Sequence, residues 1–126
     1  MIVVDCSLVA DLLVRPTSLT HVPADAEWLA PALLETEIVS VVRGLLLGGD
    51  VGPAVARAVL EDYMDLGIEI VPSTPELRSR MLDLAHNFSA YDASYVALAE
   101  GLDAQLWTRD RPLARAAQHV VDCVLA

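Results

Sequence analysis

Short runs of apolar residues alternate along the chain with segments in which apolar residues recur every three to four positions. Short runs rich in Val and Ile predict β-strands, and the periodic segments predict amphipathic helices. Strands are expected at 1–4, 27–30, 68–71, 104–108 and 119–124. Because helical segments separate the strands, the pattern predicts an α/β fold in which a five-stranded parallel sheet carries helices on both faces.

Capping residues, Pro and Gly mark the helix boundaries. Ser7 is expected to cap the first helix, which Pro16 ends. Pro31 is expected to be the first residue of a helix that runs to about residue 47. Further helices are expected from Pro53 to Gly67, from Thr74 to Phe88, from Ser89 to Gly101 and at 111–118.

The length of 126 residues, 55% of them apolar, is sufficient for a single domain with a substantial core. No apolar run approaches the ~18 residues of a membrane span, and the amino terminus lacks the layout of a signal peptide. The sequence therefore predicts a cytoplasmic protein without a membrane partner. Cys6 and Cys123 are too few for a disulfide framework and are interpreted as reduced core thiols.

The charge balance is strongly acidic, with 18 acidic against 8 basic residues and a formal net charge of −10. All eight basic residues are arginines. A field of this sign repels nucleic acid at long range and attracts cations or a basic protein partner. Charge therefore disfavours a general nucleic-acid binder but leaves a metal-bridged one open.

Four acidic residues stand where ligands or reactions are usual in an α/β fold. Asp5 and Asp110 follow the first and fourth predicted strands, and open parallel sheets bind ligands at the carboxyl ends of their strands. Asp92 is the third residue of a helix that Ser89 can cap. Glu37 projects from the apolar flank of its helix, where an unpaired carboxylate is costly, so another group must compensate it.

Each acid also has an ordinary structural explanation. Asp92 could complement a helix dipole, Asp110 could be a turn residue before Pro112, and Asp5 could cap a helix. Glu37 has the weakest such explanation. If the four converge, their like charges raise one another's pKa, and a hard cation such as Mg²⁺ or Mn²⁺ would keep them ionised. Such an ion can activate water and hold a scissile phosphate, as in metal-dependent nucleases.

The acids and their flanking residues resemble those of the PIN-domain ribonucleases, in particular the VapC-type toxins of bacterial and archaeal toxin–antitoxin pairs. The resemblance covers nearly the whole chain, and its third and fourth segments are the most specific. The matching residues are Val4, Asp5 and Ser7; Pro31, Glu37, Ile38 and Ser40; Tyr91, Asp92, Ala93, Tyr95, Ala97 and Ala99; and Thr108, Asp110, Leu113 and Ala114.

The resemblance implies a PIN-like α/β/α sandwich with an acidic Mg²⁺ or Mn²⁺ site. It assigns metal binding and catalysis to four acids, supported by two hydroxyls: Asp5, Glu37, Asp92 and Asp110, with Ser7 and Thr108. It also implies endonucleolytic cleavage of RNA that leaves a 5′-phosphate and a 3′-hydroxyl, inhibition by a cognate antitoxin, and frequent homodimers. The acidic pocket favours an antitoxin with a basic inhibitory segment. Because lysine is absent, phosphate binding would fall to arginines, with Arg109, Arg111 and Arg115 as candidates.

Other functions fit the residues less well. Phosphoacceptor receiver domains and haloacid-dehalogenase-like phosphatases also place acids after strands of a parallel sheet, but both rely on a second acid near the first and on a lysine. Here Cys6 follows Asp5 and there is no lysine. A catalytically weak PIN-fold module that only binds an antitoxin keeps the same fold, and the sequence does not separate it from an active enzyme.

Overall fold

Strands and helices alternate along the whole chain. The computed structural model describes residues 1–25 and 27–126, and the elements in these residues fall in the predicted order. They are β1 (Ile2–Val4), α1 (Cys6–Val14), a 3₁₀ turn (Pro16–Ser18), β2 (Trp28–Pro31), α2 (Leu33–Leu47), α3 (Pro53–Asp65), β3 (Glu69–Val71), α4 (Pro75–Asp83), α5 (Ala90–Leu102), β4 (Gln105–Thr108), α6 (Arg111–Ala117) and β5 (Cys123–Leu125).

Within the described residues the five strands form one parallel sheet in the order β3-β2-β1-β4-β5. The central strand β1 has all three residues buried, as its continuous apolar sequence predicts for a strand covered on both faces. Its last residue, Val4, pairs with Trp107 of β4. The residues that follow β1 and β4 therefore emerge side by side from the same edge of the sheet.

The helices form two groups, as the strand order requires. The chain moves outward in one direction from β1 to β3 and then crosses back to β4, so right-handed crossovers place the later helices on the opposite face. Consistent with this, α1 contacts α2 and α3, whereas α4 packs on α5, which lies against β1, β2 and β4. The predicted α/β/α sandwich with a five-stranded parallel sheet is confirmed.

Four predicted helix boundaries were wrong. The helix expected to reach Phe88 ends at Asp83, because residues 84–87 form a turn. In the other three cases a neighbouring residue takes the terminal role. Asp5, not Ser7, caps α1 and accepts a hydrogen bond from the Leu8 amide. Pro31 ends β2 instead of opening α2, since its missing N–H costs nothing at the end of a strand. Gly101 lies inside α5, and the left-handed residue that ends this helix is Asp103, at φ 50°.

The last strand and the apolar faces of two helices also differ from expectation. Residues 119–122 form a turn, so β5 begins only at Cys123. On α2, helical periodicity counted from Leu34 and Ile38 predicts Val41 on the buried face, but the structure buries Val42. On α3, the same periodicity predicts that Val55 and Met64 are buried, but they are 53% and 72% exposed. Helical periodicity therefore located these helices correctly but misplaced part of their buried faces.

Both cysteines are free thiols and partly buried, Cys6 at the start of α1 and Cys123 on β5. Among the described residues, no helix combines the length and the apolarity needed to cross a membrane.

The burial of α5 yields a stability prediction. Leu98 is 2% exposed, whereas Leu47, at the end of α2, is 68% exposed. Leu98→Ala should lower the free energy of unfolding by about 2–5 kcal/mol because it leaves a cavity in the core. The matched variant Leu47→Ala should change it by less than about 0.5 kcal/mol. Urea unfolding of both variants measures this, and equal losses would contradict the placement of α5 in the core.

Candidate functional site

The sheet topology brings Asp5 and Asp110 to the same edge. Asp5 directly follows β1, and its amide donates to the carbonyl of Trp107 in β4 at 3.2 Å. Asp110 comes two residues after the end of β4 and caps α6 by accepting from the Leu113 amide at 3.0 Å. The site is therefore built where two adjacent parallel strands end, which is where open α/β sheets bind ligands.

Asp5 is buried, and two hydroxyl groups and one amide hold its carboxylate. The Ser7 hydroxyl donates to Oδ1 at 2.7 Å, the Leu8 amide donates to the same oxygen at 3.1 Å, and the Thr108 hydroxyl donates to Oδ2 at 2.5 Å. Oδ1 accepts two hydrogen bonds and Oδ2 accepts one, so Oδ2 retains acceptor capacity. The carboxylate is thus fixed in position while it keeps a site for a ligand.

The same two hydroxyls also fix the backbone that leads to Asp110. The Arg109 amide donates to Ser7 Oγ at 2.9 Å, and the Asp110 amide donates to Thr108 Oγ1 at 3.0 Å. Each hydroxyl therefore accepts from the chain after β4 and donates to Asp5. Through them the position of Asp110 is coupled to that of Asp5.

Burial sets the electrostatics of Asp5. It raises the pKa of this carboxyl to about 6 because the charged form loses hydration, and nearby Asp110 raises the pKa further. The hydrogen bonds from Thr108, Ser7 and Leu8 act in the opposite direction by stabilising the carboxylate. Burial outweighs them, so metal-free Asp5 is a carboxyl group that takes up a proton readily.

Glu37 is compensated by a hydroxyl group and not by a base. It lies half-buried on α2, and its Oε1 accepts a hydrogen bond of 2.5 Å from the hydroxyl of Tyr95 on α5. Burial raises the pKa of Glu37, the Tyr95 bond lowers it, and the charge of Asp92 raises it. Burial and the charge of Glu37 also raise the pKa of the Tyr95 phenol, so Tyr95 is a stable donor. This bond supplies the compensation that the sequence required.

Asp92 lies in the first turn of α5, which Ser89 caps as predicted. It is half-buried, and burial followed by the charge of Asp110 raises its pKa. Among the described residues, no hydrogen bond engages its carboxylate oxygens, and the second oxygens of Glu37 and Asp110 are likewise unengaged. Three of the acids therefore keep at least one carboxylate oxygen for a ligand.

The four acids are linked electrostatically in pairs and do not share a single coordination sphere. Charge interactions connect Asp5 with Asp110, Asp110 with Asp92, and Asp92 with Glu37. Within residues 1–25 and 27–126, no three His, Cys, Asp or Glu side chains lie close enough to form a ready-made metal group. The donor set still fits Mg²⁺ or Mn²⁺, because it consists of oxygen and these ions bind through one or two carboxylates and retain several waters.

Tyr95 and Cys6 also lie in this neighbourhood, and neither was predicted to have a role in the site. Tyr95 was named only as a residue that matches the family motif, although it lies three residues after Asp92, a spacing that places both on one helix face. That spacing could have identified it. Cys6 lies beside Asp5 and Glu37, and burial, then Glu37 and Asp5, raise the pKa of its thiol to about 12. Cys6 is therefore a protonated thiol and not a nucleophile.

The three candidate arginines have different surroundings. Arg109 is partly buried; its guanidinium pairs with Asp11 at 3.0 Å and donates to the carbonyl of Ala126 at 3.0 Å. It therefore holds α1, β4 and the last residue together, which argues against its predicted role in RNA binding. Arg111 and Arg115 are exposed on α6, and no carboxylate of the described residues pairs with either.

Comparison with solved structures defines the class of fold. A protein of Pyrobaculum aerophilum superposes with a TM-score of 0.73 at 21% identity, over 95% of this chain and 81% of that one. The FitAcB structure from Neisseria gonorrhoeae gives a TM-score of 0.69 at 19% identity, over 98% of this chain and 96% of that one. These similarities show that the chain has the PIN-like fold.

Sequence comparison defines the family. Ribonuclease VapC9 of Mycobacterium tuberculosis is 36% identical over 118 residues, which cover 94% of this chain and 92% of that protein. No family model matches the chain. At this identity and coverage, the chain belongs to the VapC ribonuclease family, and the resemblance of its sequence motifs is confirmed.

The raised pKa values predict how stability depends on pH without metal. The folded pKa of Asp5 is about 6 against an ordinary 3.8, and those of Glu37 and Asp92 are also raised. The folded state therefore binds more protons, and in EDTA the free energy of unfolding should fall as pH rises from about 4 to 7. Asp5 alone should account for on the order of 3 kcal/mol. Asp25 and Glu100, whose pKa values are lowered from 3.8 and 4.5, act with the opposite sign, and their effect lies at and below the acid end of this range.

Urea unfolding at several pH values in EDTA measures this effect. Asp5→Asn is the matched variant, because Asn caps helices as well as Asp does but carries no titrating proton. It should flatten the dependence, whereas general repulsion at a net charge of −10 would persist in the variant. A wild-type protein that gains stability from pH 4 to 7 would contradict the interpretation of a strained acid cluster.

Proposed function

We propose that the protein is a metal-dependent RNA endonuclease that acts as the toxin of a toxin–antitoxin pair. The observation that carries the proposal is the acid chain Asp5–Asp110–Asp92–Glu37 at the carboxyl end of the sheet, which lacks a basic partner among the described residues. The name of VapC9, a ribonuclease, supports RNA as the substrate. The expected products carry a 5′-phosphate and a 3′-hydroxyl.

The four acids would hold Mg²⁺ or Mn²⁺. When bound, such an ion supplies an activated water and neutralises charge on the phosphate that is cleaved. The chain's own contribution is orientation. Ser7 and Thr108 fix the carboxylate of Asp5, and Tyr95 fixes Oε1 of Glu37 so that Oε2 remains for a ligand. These contacts place the acids before any ligand arrives, which lowers the cost of organising the site.

An antitoxin partner would also be recognised through charge. The acid cluster and a net charge of −10 favour a basic inhibitory segment that places an Arg side chain near the carboxylates. A homodimer is proposed as the oligomeric state, supported by the exposed apolar side chains of Leu82 and Tyr91 on α4 and α5.

Cleavage should require the ion and the acids. Purified protein should cut RNA with Mg²⁺ or Mn²⁺ and not with EDTA, and Asp92→Asn should reduce cleavage on the order of 100-fold or more.

Saturating metal should stabilise the wild type by about 2–3 kcal/mol at about 100 times Kd, and Asp92→Asn by much less. Asp83→Asn, an exposed acid at the end of α4, is the control. Full cleavage by contaminant-free Asp5→Asn/Asp92→Asn protein would refute the assignment.

The antitoxin should block the acid cluster directly. Alanine substitution of the basic residue that the antitoxin places there should restore cleavage of RNA by the complex, while substitution of its other exposed basic residues should not. A structure of the complex checks this placement. An acid cluster open to solvent in an inhibited complex would exclude this form of inhibition.

A further inference from the structure

A shallow groove lies between α6 and β5 and is referred to as the α6 groove. Its volume is about 320 Å³, and the residues that line it are Arg111, Ala114, Arg115, Gln118, Cys123 and Leu125. Arg111 immediately follows Asp110, so one end of the groove adjoins the acid cluster. The lining includes two guanidinium groups, one amide and no carboxylate.

Within the described residues, the two arginines of this groove have no carboxylate partner, a property that they share with Arg43, Arg57 and Arg78 but not with the other three arginines. Arg15 and Arg109 both pair with Asp11, and Arg80 forms two hydrogen bonds with Glu100 at 2.6 and 3.0 Å. Within the described residues, no ion pair involves Arg111 or Arg115. In a protein with a net charge of −10, a groove with two unneutralised guanidinium groups is a local site for anions.

The spacing of the two arginines suits a chain of phosphates. They are four residues apart on α6, so they lie on the same face of the helix and about 6 Å apart along its axis. Guanidinium groups bind phosphate through two parallel hydrogen bonds. Two such groups in line with the acid cluster can bind successive phosphates of one strand.

A second groove that contains arginines fits a polynucleotide less well. It lies between α2 and α3, where Arg43 and Arg57 are accompanied by six apolar side chains: Val39, Val42, Leu46, Pro53, Ala56 and Leu60. Apart from its two guanidinium groups, the lining of that groove is apolar, so a phosphate chain there would lose hydration for few polar contacts. Of these two grooves, the α6 groove combines positive charge with a polar amide in its lining and direct continuity with Asp110.

We infer that single-stranded RNA leaves the acid cluster along the α6 groove and that Arg111 and Arg115 bind two consecutive phosphates there. Arg109 takes no part, because Asp11 and the Ala126 carbonyl occupy its guanidinium. The inference rests on the proposed function for its ligand. It explains how an acidic protein without lysine binds a polyanion: the contact is confined to one groove beside the site.

Binding measured apart from cleavage tests this inference. Fluorescence anisotropy with a labelled single-stranded RNA in EDTA gives Kd at several salt concentrations. Arg111→Ala/Arg115→Ala should weaken binding roughly tenfold to hundredfold. It should also reduce the slope of log K against log salt by about 1.4, because each phosphate contact on a single strand contributes about 0.7. Arg57→Ala/Arg78→Ala, which removes two exposed arginines elsewhere, should leave both quantities unchanged.

Further variants separate the possible outcomes. Arg111→Lys/Arg115→Lys keeps both charges and should restore the salt slope while it recovers only part of the affinity. With Mg²⁺, the alanine variant's loss should appear chiefly in KM. Unchanged binding in the alanine variant, an equal loss in the Arg57/Arg78 control, or equally Arg-dependent binding of an acidic peptide would overturn the inference. RNA binding that depends on Arg111 and Arg115 without any cleavage by the wild type would refute the proposed function and leave the groove assignment standing.

Discussion

The structure depends on a buried carboxylate, Asp5, that joins the first and fourth strands. Its oxygens accept hydrogen bonds from the hydroxyls of Ser7 and Thr108. These hydroxyls in turn accept hydrogen bonds from the backbone amides of Arg109 and Asp110. Burial of this acid is unfavourable, and its three donors only partly offset the cost. One group therefore caps α1, fixes the edge of the sheet and places a carboxyl group beside Asp110.

The ordinary and the functional explanations of the acids are compatible. Asp5 caps α1, as its structural explanation held, Asp110 caps α6 where a turn residue was expected, and both also line the proposed site. The hydrogen bond that caps the helix goes to Oδ1 of each carboxylate, so Oδ2 of each carboxylate takes no part in capping and can contact another group. A helix cap fixes a carboxylate at a strand end with little added cost, which makes it a suitable element from which to build a site.

The sequence predicted local features well and pairwise contacts less well. The order of strands and helices followed from apolar patterns, and the need for a partner at Glu37 followed from its position among Leu and Val. The identity of that partner did not, because Tyr95 lies 58 residues away and its approach depends on how α2 and α5 pack. Arg109 was predicted to bind RNA together with Arg111 and Arg115, because its ion pair with Asp11 joins residues 98 positions apart and could not be predicted from the sequence. Gly101 was predicted to end its helix because glycine adopts the left-handed conformation most easily. In the structure, Asp103 adopts that conformation and ends the helix.

The central position of β1 governs when the protein can fold during its synthesis. Asp5 directly follows β1, but Thr108, its hydroxyl partner, lies 103 residues later. A nascent chain that lacks β4 leaves one side of β1 unpaired and the acid edge incomplete. The four acids can therefore assemble only after synthesis has passed Asp110 and β4 has left the ribosome. Any activity that requires all four acids is absent from shorter nascent chains.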